Sequence, residues 1–392
     1  MSHSFKYSLV VLTLFAVICD SMLMPFYPQF FSSEFAVSDP KYVGLYVASI
    51  GIVVMFFFPF WAQVAKKIAV LPLLVGTQFA AASLSIACYW NEELLSFWVF
   101  SLTMIAFKAS YLLVYPYLMS FEDKSKYTHT IGLLTVVAHF GVIIGAVVGG
   151  SILEFTEAKN VFLLMALGDF IQMLVCLCLI NIAPKTAVDK KESESSKAKR
   201  NKSKVIFLAL LMMSFYFSVY LIRPFFAAYW HTLVDFGGDV IAGVIYALPA
   251  LMALIMLWKN YRTTQQDYRL FAALLLALSG MLLQASSIAL LFITGRCLFG
   301  LAIFIIMVRL DLILYQISSP DSYASDYSKV HFFQNLGVLI SSFTAGLLVS
   351  WHGLVMPFWM ASLGLGITLF LVFWFEKKPN LQSTIEQPIN EL

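Results

Sequence analysis

The chain has 392 residues, of which 60% are hydrophobic and only 12% charged, and its formal net charge is +3. Soluble proteins carry roughly 25% charged residues, so a mean hydropathy of +0.84 excludes a water-soluble globular domain. The charges collect between apolar runs that each exceed the roughly 20 residues needed to cross a bilayer, so the basic balance reports membrane orientation and not nucleic-acid binding.

The pattern predicts twelve helical spans, approximately 7–31, 42–64, 68–90, 94–118, 131–154, 159–182, 205–230, 239–258, 268–286, 289–317, 326–350 and 353–375. The first is too long for a signal-peptide core and no small-residue cleavage site follows it, so it is expected to remain in the mature protein. With the N-terminus inside, one face receives Lys6, Lys66, Lys67, Lys124, Lys126, eight basic residues between spans six and seven, Lys259, Arg262, Arg269, Lys329, Lys377 and Lys378, against Lys41 and Lys159 on the other. By the positive-inside rule both termini are expected in the cytoplasm of a multi-pass inner-membrane protein. Cys19, Cys88, Cys176, Cys178 and Cys297 all fall within spans and are expected as free thiols.

Taken in order, the spans carry a small set of costly charges, which inside a bilayer usually face a cavity or a partner. Asp20 lies about 20 Å from the inner end of span one, near the midplane, and is the candidate proton carrier. Lys108 in span four is similarly deep and is followed at i+3 and i+7 by Tyr111 and Tyr115. Span five, GLLTVVAHFGVIIGAVVGG, contains Gly132, Gly141, Gly145, Gly149 and Gly150. Three of them recur every fourth residue along one helix face, where a neighbouring backbone can come close. Asp169 is central in span six, with Gln172 one turn on; the sequence gives it no evident functional role, and pairing of Lys108 or Arg223 with Asp20 or Asp169 is the structural alternative to substrate contact.

Residues 183–204 are rich in Lys, Ser and Glu, lack an apolar period, and are expected to be a disordered cytoplasmic linker. They divide the chain into a six-helix bundle at 1–182 and a second at 205–378, with a cytoplasmic tail at 379–392. HFGVIIGAVVGG in span five aligns without gaps with NLGVLISSFTAG in span eleven, matching Gly141/Gly337, Val142/Val338, Ile144/Ile340 and Gly150/Gly346. Repeats of this kind are a known transporter plan. In the second half, Tyr216, Tyr220 and Arg223 share one face of span seven, Arg296 enters span ten, and His331, Gln334 and Asn335 line one face of span eleven. Together with Lys108, Tyr111 and Tyr115 these are the candidate substrate contacts. Arg309 and Asp311, two residues apart in span ten, point to different sides and suit a structural or gating role.

The glycine series Gly132-x8-Gly141-x3-Gly145-Ala146-x2-Gly149-Gly150 resembles the fifth-helix antiporter motif of the major facilitator superfamily, with Ala146 where that motif has proline. Asp20-x4-Pro25-x2-Pro28 is similar to the acidic residue before P-x-x-P in twelve-span exporters, and Arg296-x3-Gly300 to the arginine–glycine pair of the fourth-helix motif. The loop PFWAQVAKKIAV lies where the superfamily has G-x3-D-R-x-G-R, but Pro59 and Gln63 replace the glycine and the aspartate, and only Lys66 and Lys67 keep the basic end. MPFYPQFF with a cationic interior resembles exporters of polycarboxylate siderophores.

The resemblance implies an all-α fold of twelve transmembrane helices in two pseudo-symmetric six-helix bundles. It also implies alternating access, with protons entering through Asp20 as a small anionic organic molecule leaves. No cofactor, metal or nucleic acid is expected; the partners are substrate, protons and the lipid bilayer, and the carrier is expected to be monomeric. Neither HExxH nor GxSxG occurs, which argues against an intramembrane enzyme. A multidrug/proton antiporter and a nutrient importer are the alternatives.

Overall fold

In the computed structural model, residues 3–121, 127–182, 202–234, 238–262, 270–318 and 323–376 are described. Nearly all of the expected linker, the C-terminal tail, and the loop charges Glu122, Asp123, Lys124 and Lys126 lie outside the described residues. The elements are α1 (His3–Ser21), α2 (Tyr27–Phe35), α3 (Pro40–Val64), α4 (Val70–Tyr89), α5 (Leu94–Lys108), a 3₁₀ segment (Ala109–Leu113), α6 (Val114–Ser120), α7 (Tyr127–Phe155) and α8 (Asn160–Ile180). They continue with α9 (Lys202–Leu221), α10 (Phe226–Leu233), α11 (Asp239–Arg262), α12 (Leu270–Gln284), α13 (Ala289–Ile317), α14 (Tyr323–His352) and α15 (Met356–Glu376). Among the described residues, ten helical stretches are long and apolar enough to cross a bilayer. The 19 residues of α1 and the shorter α12 complete the expected twelve spans.

Three spans that hydropathy draws as continuous are interrupted, each beside proline. Pro25 lacks an N–H and disfavours helical geometry at Met24, so α1 stops at Ser21 and α2 starts at Tyr27. Pro224 acts alike on Arg223, between the end of α9 and the start of α10. The residues that open the two short helices have nearly the same backbone, Phe26 at φ −117°, ψ 7° and Phe225 at φ −109°, ψ 13°. In span four, Pro116 leaves the Leu112 carbonyl without a helical donor, and the chain tightens into the 3₁₀ segment directly after Lys108.

Isolated helices as short as α2 are unstable, so tertiary contacts must hold it. Rings do this: Phe30 and Phe35 lie 5.4 and 4.9 Å from Phe97 of α5, and Phe31 lies 5.0 Å from Tyr46 of α3. All four of Phe30, Phe31, Tyr46 and Phe97 are buried.

Contacts divide the chain into two compact units, Met1–Val188 with Pro224–Ala247, and Asp189–Arg223 with Leu248–Leu392. Within the first, α7 and α8 pack on α1, and α4 packs on α5 and α8. Within the second, α14 and α15 pack on α9, and α12 packs on α13 and α15. The pairings are the same ones shifted by one half of the chain. The repeat extends to single residues: a Cβ at Gly141 would meet the Val17 side chain at 2.7 Å, and one at Gly337 would meet the backbone of Met213. Those two partners stand at the same offset as the two glycines.

The glycine series has a structural answer in α1. Besides Gly141 against Val17, a Cβ at Gly145 would lie 2.6 Å from the Ile18 carbonyl oxygen, and one at Gly149 would collide with the Met22 carbonyl. Gly150 turns to a different partner, the Asp239 backbone at the start of α11, and Gly243 one turn further returns the contact to Ala146. Gly132 has nothing within 4 Å. Gly149→Val is therefore expected to lower stability by about 1–3 kcal/mol through overpacking. Gly132→Ala is expected to be neutral or stabilising by up to about 1 kcal/mol. Thermal unfolding of both variants in detergent checks the contrast.

Candidate functional site

The first unit gathers charge where three helices meet. Asp20 is the penultimate residue of α1, at the break; Lys108 closes α5; Asp169 is in the middle of α8. Gly168 lets α1 and α8 approach, since a Cβ there would lie 2.5 Å from the Cys19 sulfur, and this brings the neighbouring Asp20 and Asp169 to one place. The stretch around Lys108 is fixed from both sides. The Trp61 indole N–H donates to the Ala106 carbonyl at 2.7 Å, and the hydroxyls of Thr77 and Ser110 pair at 2.7 Å.

The Lys108 ammonium stands 3.4 Å from Asp169 Oδ1 and 4.0 Å from Asp20 Oδ1. Gln172 Nε2 donates to the same Asp169 oxygen at 3.2 Å. Tyr111 lies one 3₁₀ turn beyond Lys108, with its hydroxyl within hydrogen-bonding reach of the Asp20 carboxylate. The exposures differ sharply. The Lys108 and Asp169 side chains are 6% and 0% exposed, whereas Asp20 keeps 41%. Removing a charge from water costs several kcal/mol per ion, which close pairing must offset. Two carboxylates share one ammonium here, so the cluster is negative with both ionised and neutral once one of them takes a proton.

Asp169 has no evident role in the sequence, and the structure makes it the nearer partner of Lys108. The available signal is its cost: an acid in the middle of an apolar span demands a counter-charge. Tyr115, the third residue of the predicted face, is 38% exposed, because the 3₁₀ segment shifts its direction relative to Lys108.

The second unit brings together Tyr216, Tyr220 and Arg223 as their spacing predicts. The two rings stack with centroids 6.1 Å apart, and the Arg223 guanidinium lies 3.7 Å above the Tyr220 ring. Such a cation–π contact holds the guanidinium in place at little cost to its charge. Arg223 sits in the break after α9, and its N–H donates to the Tyr220 carbonyl at 3.2 Å. Arg296 is buried and donates to Gln284 Oε1 of α12 at 3.3 Å. On α14 the His331 ring lies tilted against Tyr327 with centroids 3.9 Å apart, and Asn335 is exposed. His331 Nε2 and Gln334 Oε1 are buried atoms with no hydrogen-bond partner among the described residues. Asp311 is exposed on α13. Among the described residues, no group of three or more His, Cys, Asp or Glu side chains could hold a metal ion.

Paired helix repeats, interrupted first and seventh spans, and charges held at those interruptions define a polytopic membrane carrier built from two related halves. Residues 9–262, well over half the chain, match the sequence model of the Major Facilitator Superfamily, and the chain belongs to that family of membrane transporters. Solved structures agree on the fold. A mutant form of the nucleoside transporter NupG superposes with a TM-score of 0.73 at 14% identity, covering 95% of this chain and 100% of that one. A bacterial homolog of the human lysosomal transporter Spinster, in an inward-facing and occupied conformation, gives 0.74 at 12% identity, covering 94% and 95%. The human organic anion transporter MFSD10 (TETRAN) gives 0.70 at 14%, covering 94% and 98%. No curated protein matches in sequence.

Breaking a buried pair by removing one partner strands the other charge and costs about 3–5 kcal/mol. Lys108→Met is expected to show a loss of that size, and Lys108→Met with Asp169→Leu to regain most of it. A double-mutant cycle on unfolding in detergent measures the difference.

Proposed function

We propose that this transporter is a proton-coupled exporter of a small organic anion, of the polycarboxylate class, working by alternating access in the inner membrane with both termini in the cytoplasm. The observation that carries the reading is the Asp20–Lys108–Asp169 cluster. Asp20 is close enough to a cation to ionise and open enough to exchange a proton, beside a pair that burial keeps fixed. On this reading Arg223, braced by Tyr220 and Tyr216, is the principal contact for the anionic group. A guanidinium matches a carboxylate with two parallel hydrogen bonds and remains charged throughout the cycle. Lys108, Tyr111, Tyr115, Arg296, His331, Gln334 and Asn335 are the further candidate contacts. The glycine series on α7 and the Asp20-x4-Pro25-x2-Pro28 spacing support export, because both resemble segments of exporters.

The shared ammonium favours a second reading, uptake by symport. An ionised Asp20 competes with an anionic substrate for Lys108, and a protonated Asp20 yields it. If the anion touches Lys108, proton and anion binding reinforce each other; if it touches Arg223 alone, they are free to alternate.

Proteoliposomes loaded at one pH and diluted into another separate these cases, with radiolabelled citrate and other di- and tricarboxylates as probes. Antiport is expected, with uptake accelerated by an acidic interior; acceleration by an acidic exterior assigns symport. Asp20→Asn is expected to abolish the response to the gradient in either case. Arg223→Gln is expected to weaken half-saturation about tenfold, the loss of one charge-assisted contact of roughly 1.4 kcal/mol. Transport of organic cations in place of every anion tested would overturn the proposal.

A further inference from the structure

The transport reading uses Asp20 as proton carrier and gives Asp169 no part beyond charge balance, yet Asp169 is the closer acid to Lys108. Two donors converge on one of its oxygens, Lys108 Nζ at 3.4 Å and Gln172 Nε2 at 3.2 Å, while Oδ2 has no partner among the described residues. The carboxylate is fully buried and Gln172 is 1% exposed, so neither has water to fall back on. Lys108 thus divides one positive charge between a fixed acid on α8 and the more open Asp20 on α1.

We infer that Asp169, oriented by Gln172, is a positioning residue that holds the Lys108 ammonium away from Asp20 and thereby sets the pH at which Asp20 exchanges its proton. The inference rests on the reading of Asp20 as the proton carrier. A nearby cation favours an ionised carboxylate, and its distance decides by how much. The other titratable groups around Asp20 come from each element packed against it. Cys19 precedes it on α1, Tyr27 approaches from α2, Lys108 and Tyr111 from α5 and the 3₁₀ segment, and Asp169 from α8. On the remaining side α7 meets α1 through Gly141, Gly145 and Gly149. Lys108 is the cation of this set.

The geometry gives the two residues opposite signs. Neutralising Asp169 frees the ammonium to close on Asp20, which then gives up its proton more readily. Removing the Gln172 donor leaves the Asp169 carboxylate to Lys108 and the Ser85 hydroxyl, draws the ammonium further from Asp20, and lets Asp20 keep its proton to higher pH. A role in packing alone predicts no such reversal.

The test needs no substrate. Full-length protein in lipid nanodiscs is titrated with acid while infrared difference spectra follow the carbonyl band of protonated carboxyl groups. The contribution of Asp20 is the part lost on adding Asp20→Asn in the same background. Asp169→Asn is expected to move the midpoint of that contribution down by about one pH unit, a tenfold change in proton concentration. Gln172→Leu is expected to move it up by a smaller amount, and Asp169→Glu to restore the wild-type midpoint. If Asp169→Asn does not fold, the upward shift in Gln172→Leu decides alone. An Asp20 contribution that titrates at the wild-type midpoint in the folded variants overturns this inference and leaves the transport reading standing. No loss of band on Asp20→Asn overturns both.

Discussion

A charge surrounded by lipid-facing helices has to be met by an opposite charge or a proton, and in the first unit that requirement falls on Lys108. Three local features converge on it. Pro25 ends α1 just past Asp20, Pro116 tightens the chain just past Lys108, and Gly168 admits α1 close against α8 beside Asp169. Each would weaken an isolated helix, because a proline or a glycine costs about 3 or 1 kcal/mol in a helix interior. Their common effect is to place two carboxylates within 4.0 Å of one ammonium. Local irregularity here buys the pairing that makes a buried lysine tolerable.

The two halves keep the same helix pairings and the same break, but they diverge in charge at the break. At the offset that relates Val17 to Met213, Asp20 stands opposite Tyr216, and Arg223 lies directly before Pro224 whereas Met24 lies before Pro25. The first half therefore carries an acid in the last turn before its interruption, and the second a guanidinium directly at its own. Duplicated architecture with divided chemistry suits a carrier. The charge at the second break is constant, since arginine stays protonated at any physiological pH.

The spans are legible in the sequence because hydropathy over some twenty residues is a strong signal, and the glycine face because its four-residue period survives in a single helix. The breaks are not, although Pro25, Pro116 and Pro224 stand in plain view. An averaged apolar run conceals a missing N–H, and proline in a membrane helix as often kinks as interrupts; Pro59 and Pro249 lie inside the unbroken α3 and α11. The difference is in the surroundings. The short α2 is supported by a ring cluster reaching to Phe97, a contact between distant segments that no local window reports. Asp169 is hidden for a related reason. Its spacing along α8 says nothing of which helix lies opposite, and only the approach of α1 and α5 to α8 turns it from an unexplained acid into the anchor of Lys108.

Family membership constrains this chemistry without choosing it. Transporters named for nucleosides and for organic anions superpose on this chain at 14% identity, so the fold accommodates unlike substrates, and discrimination resides in side chains that the scaffold does not dictate. In this chain the first and seventh spans are interrupted. Those interruptions are where helix ends leave backbone groups free and where charged side chains find partners other than lipid. Asp20 at one such interruption, with Lys108 and Asp169 from the helices against it, forms a site whose net charge changes by one unit with one proton. In a low-dielectric setting a change of that size outweighs any single hydrogen bond. A change of protonation at this cluster therefore alters its charge balance more than the loss of any one contact would.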